Sequence, residues 1–222
     1  MKELQLTQTQ LLYLKELLES KKSRERFENI LQARSFCAFL ESKEIFYDLC
    51  IKHPIAKACY ESEQYYQKYQ YLMPEYSVCK HLLVQERKGE KRKFLIIVDS
   101  HKQVDMAQCK IDLETKKLEF VNDDGLEELL HTKAGNISIF NMMYDVTKQI
   151  ELVIDEELLQ KDCLVFHPLY NELSIFIKPE ECLKFLRLIQ REAKIMEIAS
   201  KEVGSYQKML VRKNWILVND VK

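Results

Sequence analysis

The chain has 222 residues, 46% of them apolar, and a formal net charge of −1. This length and apolar content suit one large domain with a buried core, and they exclude global disorder. The near-neutral charge excludes a strong overall basic field, so a nucleic-acid partner would have to be met by a local patch or a small contact.

Seven cysteines are scattered along the chain, without a Cys-x-x-Cys pair and in an odd number. We therefore expect reduced, mostly buried thiols rather than a disulfide framework or a zinc site. No apolar run approaches the roughly 20 residues of a membrane helix. The N-terminus lacks the apolar core of a signal peptide. A cytoplasmic protein without membrane contact is the expectation.

The N-terminal residues show helical patterns. Thr7–Gln10 fits a capping box, and Leu11, Leu14, Leu17 and Leu18 then mark one helical face. A second helix is predicted from Ser23 to about Ser42. Its basic residues either meet phosphate or belong to a solvated face interleaved with glutamates, and the sequence leaves both readings open.

The middle of the chain alternates predicted strands and helices. A strand at Ile45–Ile51 ends at His53-Pro54, because proline lacks an amide and restricts the residue before it. A tyrosine-rich helix over Ala56–Tyr71, stopped by Pro74, either stacks its rings on bases or packs them inside. The next elements are a hairpin of Val78–Gln85 and Phe94–Val98 with Gly89 at positive φ in its turn, a helix at Met106–Leu113, a strand at Lys117–Val121 and an acidic helix at Asp123–Leu130.

Three further strands are predicted between Leu130 and Ile177, at Asn136–Phe140, Gln149–Ile154 and Leu173–Ile177. Pro179 opens a helix at a position where its missing amide is harmless, and the apolar pattern continues to Ile198. The tail is predicted to form a hairpin of Met209–Val211 and Trp215–Val218.

Few residues are available for chemistry. No Ser/His/Asp triad, phosphate-binding glycine loop or paired metal motif is visible, so we expect neither a cofactor nor a metal. Lys80 lies in a predicted strand, where it points either to solvent or inward, and an inward ammonium must meet an anion or lose its charge. His167 is either a packed histidine or a site residue, and Asn171 and Gly135 are either turn residues or site residues. We expect the functional pocket between the Leu130–Ile177 segment and the strand around Lys80.

Taken together, these residues form an ordered series of motifs. The series consists of Lys80 in a strand, Gly-x-x-Ser-x-Phe at Gly135–Phe140, Asp145, Glu151–Asp155, Phe166-His-Pro-Leu169 with Asn171, and Ile177–Glu180. This order resembles the YbaK-like aminoacyl-tRNA deacylases. Within that family it is most similar to the prolyl-tRNA editing proteins, the free-standing relatives of the editing insertion of bacterial prolyl-tRNA synthetase. The similarity covers residues 36–198 and leaves residues 1–35 as an N-terminal helical extension and 199–222 as a C-terminal extension.

The resemblance implies an α+β fold, a curved mixed β-sheet flanked by helices, in which Lys194–Ile198 is a final strand and not helix. It implies a hydrolase that acts in trans on the ester of mischarged tRNA, in the service of translation fidelity. Alanine on proline tRNA is the implied substrate, with cysteine as the alternative. The implied partners are the aminoacyl 3′ end of tRNA and prolyl-tRNA synthetase, and the protein would be a monomer or weak dimer.

The resemblance also assigns site residues. Lys80 corresponds to the family's catalytic lysine, which would bind the terminal phosphate or polarise the ester carbonyl. The implied substrate-binding residues are His81, Gly135, Ser138, Ile139, Phe140, His167, Pro168 and Asn171. The chain departs from the family pattern at His81, Ile139 and Asn141. These departures keep a second interpretation open, a degenerate module that binds tRNA, a synthetase or another protein.

Overall fold

The computed structural model describes residues 21–56, 59–69, 71 and 75–201. The helices of this part are α1 (Lys21–Ser42), α2 (Met106–Asp112), α3 (Asp123–Leu130) and α4 (Pro179–Leu188). Its strands are β1 (Leu49–Lys52), β2 (Tyr76–Glu86), β3 (Lys93–Asp99), β4 (Leu118–Phe120), β5 (Ile150–Asp155), β6 (Cys163–Phe166), β7 (Leu173–Ile177) and β8 (Ala193–Met196). None of the described helices is both long and apolar enough to cross a bilayer.

The eight strands form one mixed sheet in the order β1-β7-β6-β2-β3-β5-β8, with β4 also paired to β2. The pairs β2–β6, β3–β5 and β5–β8 are parallel, and the remaining pairs are antiparallel. The predicted α+β class with a mixed sheet and flanking helices is therefore confirmed.

Strand β2 lies at the centre of this sheet and divides the core between its two faces. Cys79 and Leu83 point into the larger cluster, which also holds Phe140 and Phe185. Val84 points to the other face, into a smaller cluster with residues of β3 and α2. Because successive strand residues alternate between faces, β2 connects both clusters.

Most predicted elements are present. The predicted helices at residues 23–42, 106–113 and 123–130, and the predicted strands at residues 78–85, 94–98, 117–121, 149–154 and 173–177, match elements of the structure to within about three residues. Gly89 has a φ of +104°, as expected for the turn after β2. The seven cysteines are free, and five of them are buried.

The predicted strand at Asn136–Phe140 is wrong. Residues Ile139–Met143 form a 3₁₀-helix instead, which Ser138 caps at its N-terminus. The Ser138 amide donates to the Asn141 side chain at 2.8 Å, and the Ser138 hydroxyl accepts from the Phe140 amide at 3.4 Å. This reciprocal capping satisfies the amides at the helix start and ends the extended conformation.

Two other predictions need correction. The Ala56–Tyr71 segment contains 3₁₀-helices at Cys59–Tyr65 and Gln67–Tyr69, not a continuous α-helix. The Ile45–Ile51 strand is shorter than predicted and starts at Leu49, because Ile45 still closes the end of α1. The Ile45 amide donates to the Leu40 carbonyl at 3.0 Å, and its side chain is fully buried.

The C-terminal helix stops at Leu188, so the pattern-based extension to Ile198 is wrong. Gln190 adopts a φ of +55°, which turns the chain out of the helix. The strand that follows, β8, is the one implied by the resemblance. The predicted Thr7–Gln10 cap, the Leu11–Leu18 face, the Pro74 stop and the tail hairpin lie outside the described residues.

Candidate active site

The sheet has an opening along one edge of β2. One edge of β2 pairs with β3 from Cys79 to Gln85 and has no gap there. The opposite edge pairs with β6 up to Val78 and with β4 only from Val84 onward, and the opening lies between these two pairings. Among the described residues, no strand fills the interval between them. Lys80 and His81 lie in this interval, beside the point where β6 ends and its loop begins.

Lys80 and His167 lie just beyond the end of the β2–β6 pairing. The parallel register pairs Val78 with Val165, and its continuation by two residues would bring Lys80 opposite His167, one residue after β6 ends. Because the side-chain period of a strand is two, Lys80 projects to the face of Val78 and Val165. The predicted convergence of the lysine and the imidazole is thus consistent with the register.

The Lys80 ammonium points toward the loop after β3. It donates to the carbonyl of Ser100 at 3.1 Å and to the carbonyl of Lys102. Burial lowers the pKa of Lys80 below its ordinary value, and nearby Asp99 partly opposes this shift. An ammonium has three donors, so one N–H remains for another acceptor. The Lys80 side chain is half-buried, so it neither points fully to solvent nor fully into the core, the two orientations that the sequence left open.

His167 is a neutral imidazole with a fixed tautomer. Its Nδ1 lies 3.1 Å from the carbonyl of Leu173, and because a carbonyl only accepts, Nδ1 carries the proton. The lone pair is therefore on Nε2. Burial lowers the pKa of His167 to about 4, which keeps the ring uncharged at neutral pH.

The loop after His167 is conformationally restricted. Pro168 is buried, and the Leu169 amide donates back to the His167 carbonyl at 2.9 Å. Leu169 has a φ of +71°, a region that bulky side chains rarely adopt. Such backbone strain is frequent at functional sites because the surroundings over-determine it.

A buried hydrogen-bond network of His53, Ser174 and Tyr66 lies next to His167. His53 Nδ1 donates to the Pro54 carbonyl at 2.7 Å, so its Nε2 accepts from the Ser174 hydroxyl at 2.8 Å. The Tyr66 hydroxyl in turn donates to Ser174 at 2.6 Å. Ser174 and Tyr66 are fully buried, so this serine is inaccessible to a substrate. Its hydroxyl contacts both rings, since it also lies 3.4 Å from His167 Nδ1.

Sequence reasoning missed His53 and Ser174 as parts of the site. The available signal was the His-Pro dipeptide, which occurs at His53 and again at His167. The two rings lie 5.9 Å apart. Tyr66 is fully buried, so at least this tyrosine of the Ala56–Tyr71 segment packs inside the protein and does not stack on bases.

Asn171 joins three segments at the edge of the site. Its Nδ2 donates to the carbonyls of Ala56 at 2.9 Å and Gly135 at 3.0 Å, and its backbone amide donates to Asn136 Oδ1 at 3.0 Å. Gly135 has a φ of +85°, which explains the glycine. Asn171 Oδ1 is buried and has no hydrogen-bond partner among the described residues. It is therefore an acceptor without a donor next to the Gly135 loop.

His81 points to the opposite face from Lys80. Its ring lies 5.5 Å from that of Phe166, and burial lowers its pKa to about 3. Its Nε2 is also buried and without a partner in the described part of the chain. The structure therefore separates His81 from the Lys80 side of β2.

The predicted binding residues Ser138, Ile139 and Phe140 are fully buried. Ser138 is a helix cap, and the other two pack in the main core, where Phe140 contacts Phe166 and Phe185. Asn141 is also structural, since it holds Ser138 and donates to the Leu130 carbonyl at 3.2 Å. These side chains position the loop from within and offer no surface to a substrate.

Comparison with known proteins identifies several relatives of this fold. The family model described as "Aminoacyl-tRNA editing domain" matches residues 56–185. The chain is 25% identical over 121 residues to the "Prolyl-tRNA editing protein ProX" of Acetoanaerobium sticklandii, an alignment that covers 54% of this chain and 73% of that protein.

Solved structures give the same picture of the fold. One is a candidate trans-editing enzyme for prolyl-tRNA synthetase, with a TM-score of 0.54, 15% identity, and coverage of 77% of this chain and 98% of the other. Another is a scaffold protein from work on epitope backbone grafting, with a TM-score of 0.57, 16% identity, and coverage of 78% and 98%.

Proposed function

The chain belongs to the aminoacyl-tRNA editing domain family, and we propose on that basis that it is a trans-acting deacylase. It would hydrolyse the ester that joins a wrong amino acid to the 3′ end of a tRNA. Its similarity to a prolyl-tRNA editing protein supports alanine on proline tRNA as the substrate, with cysteine as the alternative. The proposed partners are the tRNA 3′ end and prolyl-tRNA synthetase.

One observation carries this proposal. Lys80 lies in an opening of the sheet, beside the end of β6 after which the loop begins at His167, and both residues lie within the part of the chain that the family model matches. The opening exposes the middle of β2 to the loop that follows β6. It is the place where a rigid scaffold meets a loop, and catalytic groups are concentrated at such places.

Lys80 is the proposed catalytic residue. Two of its donors are held by the carbonyls of Ser100 and Lys102, which fix the ammonium in the structure. The remaining N–H would donate to the ester carbonyl oxygen as negative charge develops there. Such preorganised donors stabilise a transition state because they need not reorient during the reaction.

His167 and Asn171 are the proposed binding residues for the amino group. His167 Nε2 is an acceptor because its ring is neutral and Nδ1 carries the proton. Asn171 Oδ1 is an acceptor without a donor among the described residues. Two acceptors suit the α-ammonium of an aminoacyl ester, which is a strong donor. Gly135 and Pro168 would shape the loops around it.

The aminoacyl ester is already activated, so placement matters more than a strong nucleophile. We propose that the terminal ribose hydroxyl of the substrate activates the water. This mechanism requires no side-chain base.

The test is Lys80→Met, which keeps the length of the side chain and removes its donors. Deacylation of alanyl-tRNA(Pro) is measured beside cysteinyl- and seryl-charged tRNAs. We expect kcat/KM for alanyl-tRNA(Pro) to fall roughly 10²–10³-fold, the cost of one oxyanion donor. Lys88→Met is the matched control, because Lys88 is exposed in the turn after β2. Equal rates for Lys80→Met and wild type would refute the proposed role.

A binding module without catalytic activity is the second candidate. The observation that favours it is that the protein's own carbonyls already hold the Lys80 ammonium, as in a structural lysine. This candidate predicts that the protein binds tRNA while every ester in the panel stays intact. Turnover of any of them that depends on Lys80 would dismiss it.

A further inference from the structure

A second cavity lies next to the Gly135 loop, and α1 forms one of its walls. Its volume is about 490 Å³, within the roughly 300–1,000 Å³ of small-molecule sites. Its lining includes Asn29 and Gln32 of α1, together with His131, Thr132, Asn136 and Tyr170.

Helix α1 lies outside the residues 56–185 that the family model matches, yet it is firmly attached to them. Arg26 donates through Nε to both carboxylate oxygens of Glu172, at 2.7 and 2.9 Å. Ala33 is fully buried against Tyr170 and Leu173. This wall of the cavity is therefore part of the folded structure, although it lies beyond the family domain.

The charges around the cavity argue against a phosphate ligand. Its cations are Arg26 and Lys133, and each has a carboxylate beside it. Arg26 pairs with Glu172 at 2.7 Å, and Lys133 lies 3.9 Å from Glu25. With Glu127 also in the lining, no excess of positive charge remains for an anion among the described lining residues. A ligand without charge of its own fits this surface best.

The uncharged groups of the lining match a nucleoside. Asn29, Gln32 and Asn136 contribute amides, and an amide pairs with the donor and acceptor on the edge of adenine. Gln32 Nε2 donates to the Tyr144 hydroxyl at 3.3 Å, so its second N–H and its Oε1 remain for a base. His131 supplies a ring of the kind on which unpaired bases stack, whereas Tyr170 is buried against Ala33 and closes the wall. The ribose hydroxyls need hydrogen-bond donors and acceptors, and the Thr132 hydroxyl in the lining can act as either.

The cavity is joined to the candidate active site through one side chain. Asn136 lines the cavity, and its Oδ1 accepts from the Asn171 amide at 3.0 Å. Asn171 in turn donates to Gly135. A molecule in the cavity therefore lies one residue away from the loop that we assign to the amino group of the substrate.

We propose that this cavity holds the terminal adenosine of the tRNA 3′ end. The inference rests on the proposed function, since an aminoacyl ester is attached to the ribose of that nucleoside. The N-terminal helix then supplies part of the substrate-binding surface. The family domain provides the groups at the ester, and α1 provides contacts to the base.

The experiment titrates the whole chain with the trinucleotides CCA and CCU and follows backbone amide signals by NMR. We expect CCA to shift the signals of Thr132 and Asn136 and to bind about tenfold more tightly than CCU, because one good amide–adenine pair discriminates by about that factor. Gln32→Leu is expected to remove most of this preference. Ser35→Leu is the matched control, since Ser35 is exposed on α1 and lies outside the cavity lining.

The outcomes separate this inference from the proposed function. If CCA leaves the signals of Thr132 and Asn136 unchanged, or if Gln32→Leu binds CCA like the Ser35→Leu control, the cavity assignment is overturned even when deacylation proceeds. If CCA binds as expected and no mischarged tRNA is hydrolysed, the cavity assignment holds and the deacylase proposal fails. Unchanged denaturation midpoints establish that both variants are folded.

Discussion

Replacement of Asn171 by aspartate tests the loop arrangement at the candidate site. The change keeps the size of the side chain, but it replaces the Nδ2 donor by an oxygen. In the wild type, Nδ2 donates to the carbonyls of Ala56 and Gly135 at 2.9 and 3.0 Å. A carboxylate at this position would face two carbonyl oxygens that also only accept.

The expected loss of stability follows from these two contacts. A buried acceptor left without its donor costs about 1–3 kcal/mol, so two of them cost roughly 2–6 kcal/mol at pH 7. For a chain of this size, each kcal/mol lowers the Tm by about 2–4 °C. We therefore expect the Tm of Asn171→Asp to fall by about 4–24 °C.

The loss should depend on pH in a defined direction. The folded variant disfavours the charged carboxylate, so the pKa of the introduced carboxyl group is raised above its unfolded value of about 3.9. The destabilisation relative to wild type is therefore present above the folded pKa and decreases as the pH falls through it. Asn171→Leu, which has no charge, controls for the pH dependence. A variant as stable as wild type at pH 7, or a loss independent of pH, would contradict the reasoning.

Three further predictions concern neighbouring residues. The pKa of His167 is about 4 in the folded state, and a histidine with a lowered pKa contributes stability that is lost as the pH falls from about 6.5 toward 4. Urea denaturation across this range should show that His167→Gln reduces the change in unfolding free energy with pH by about 3 kcal/mol. If the unfolding free energy of the variant falls with pH as steeply as that of wild type, the lowered pKa of His167 is refuted. Gly135→Ala should cost about 1–2 kcal/mol in urea denaturation through its φ of +85° alone, because an added Cβ meets nothing within 4 Å; a larger loss would indicate an unrecognised clash. Asn141→Ala should cost about 1–2 kcal/mol in thermal unfolding by removing the reciprocal cap, and a neutral result would show that the cap is dispensable.

Much of the fold was readable from local patterns. The hairpin around Gly89 and the acidic helix at Asp123–Leu130 carry their own signals, a turn glycine and a capped apolar face. The segment Asn136–Phe140 was misread because its apolar residues alternate as in a strand. The side chains of Ser138 and Asn141 override that pattern, and such capping contacts depend on tertiary fit.

The site was predictable in part. The position of Lys80 and the loop from His167 to Asn171 were identified from the order of motifs. Their proximity depends on the parallel register between β2 and β6, which joins residues 87 positions apart. No local pattern reports such a pairing. The network through His53, Ser174 and Tyr66 was missed for the same reason, since its members are far apart along the chain.

Strand β2 pairs with β3 along one edge and with β6 and β4 along the other. The amide hydrogens that these ladders hold should therefore exchange with solvent only when the whole domain unfolds, whereas those of the outermost strands exchange through fraying. The backbone of Lys80 is paired with β3 and borders the unfilled interval on its other edge. Because the carbonyls of Ser100 and Lys102 fix the ammonium, the ester has to reach the ammonium by entering through that interval.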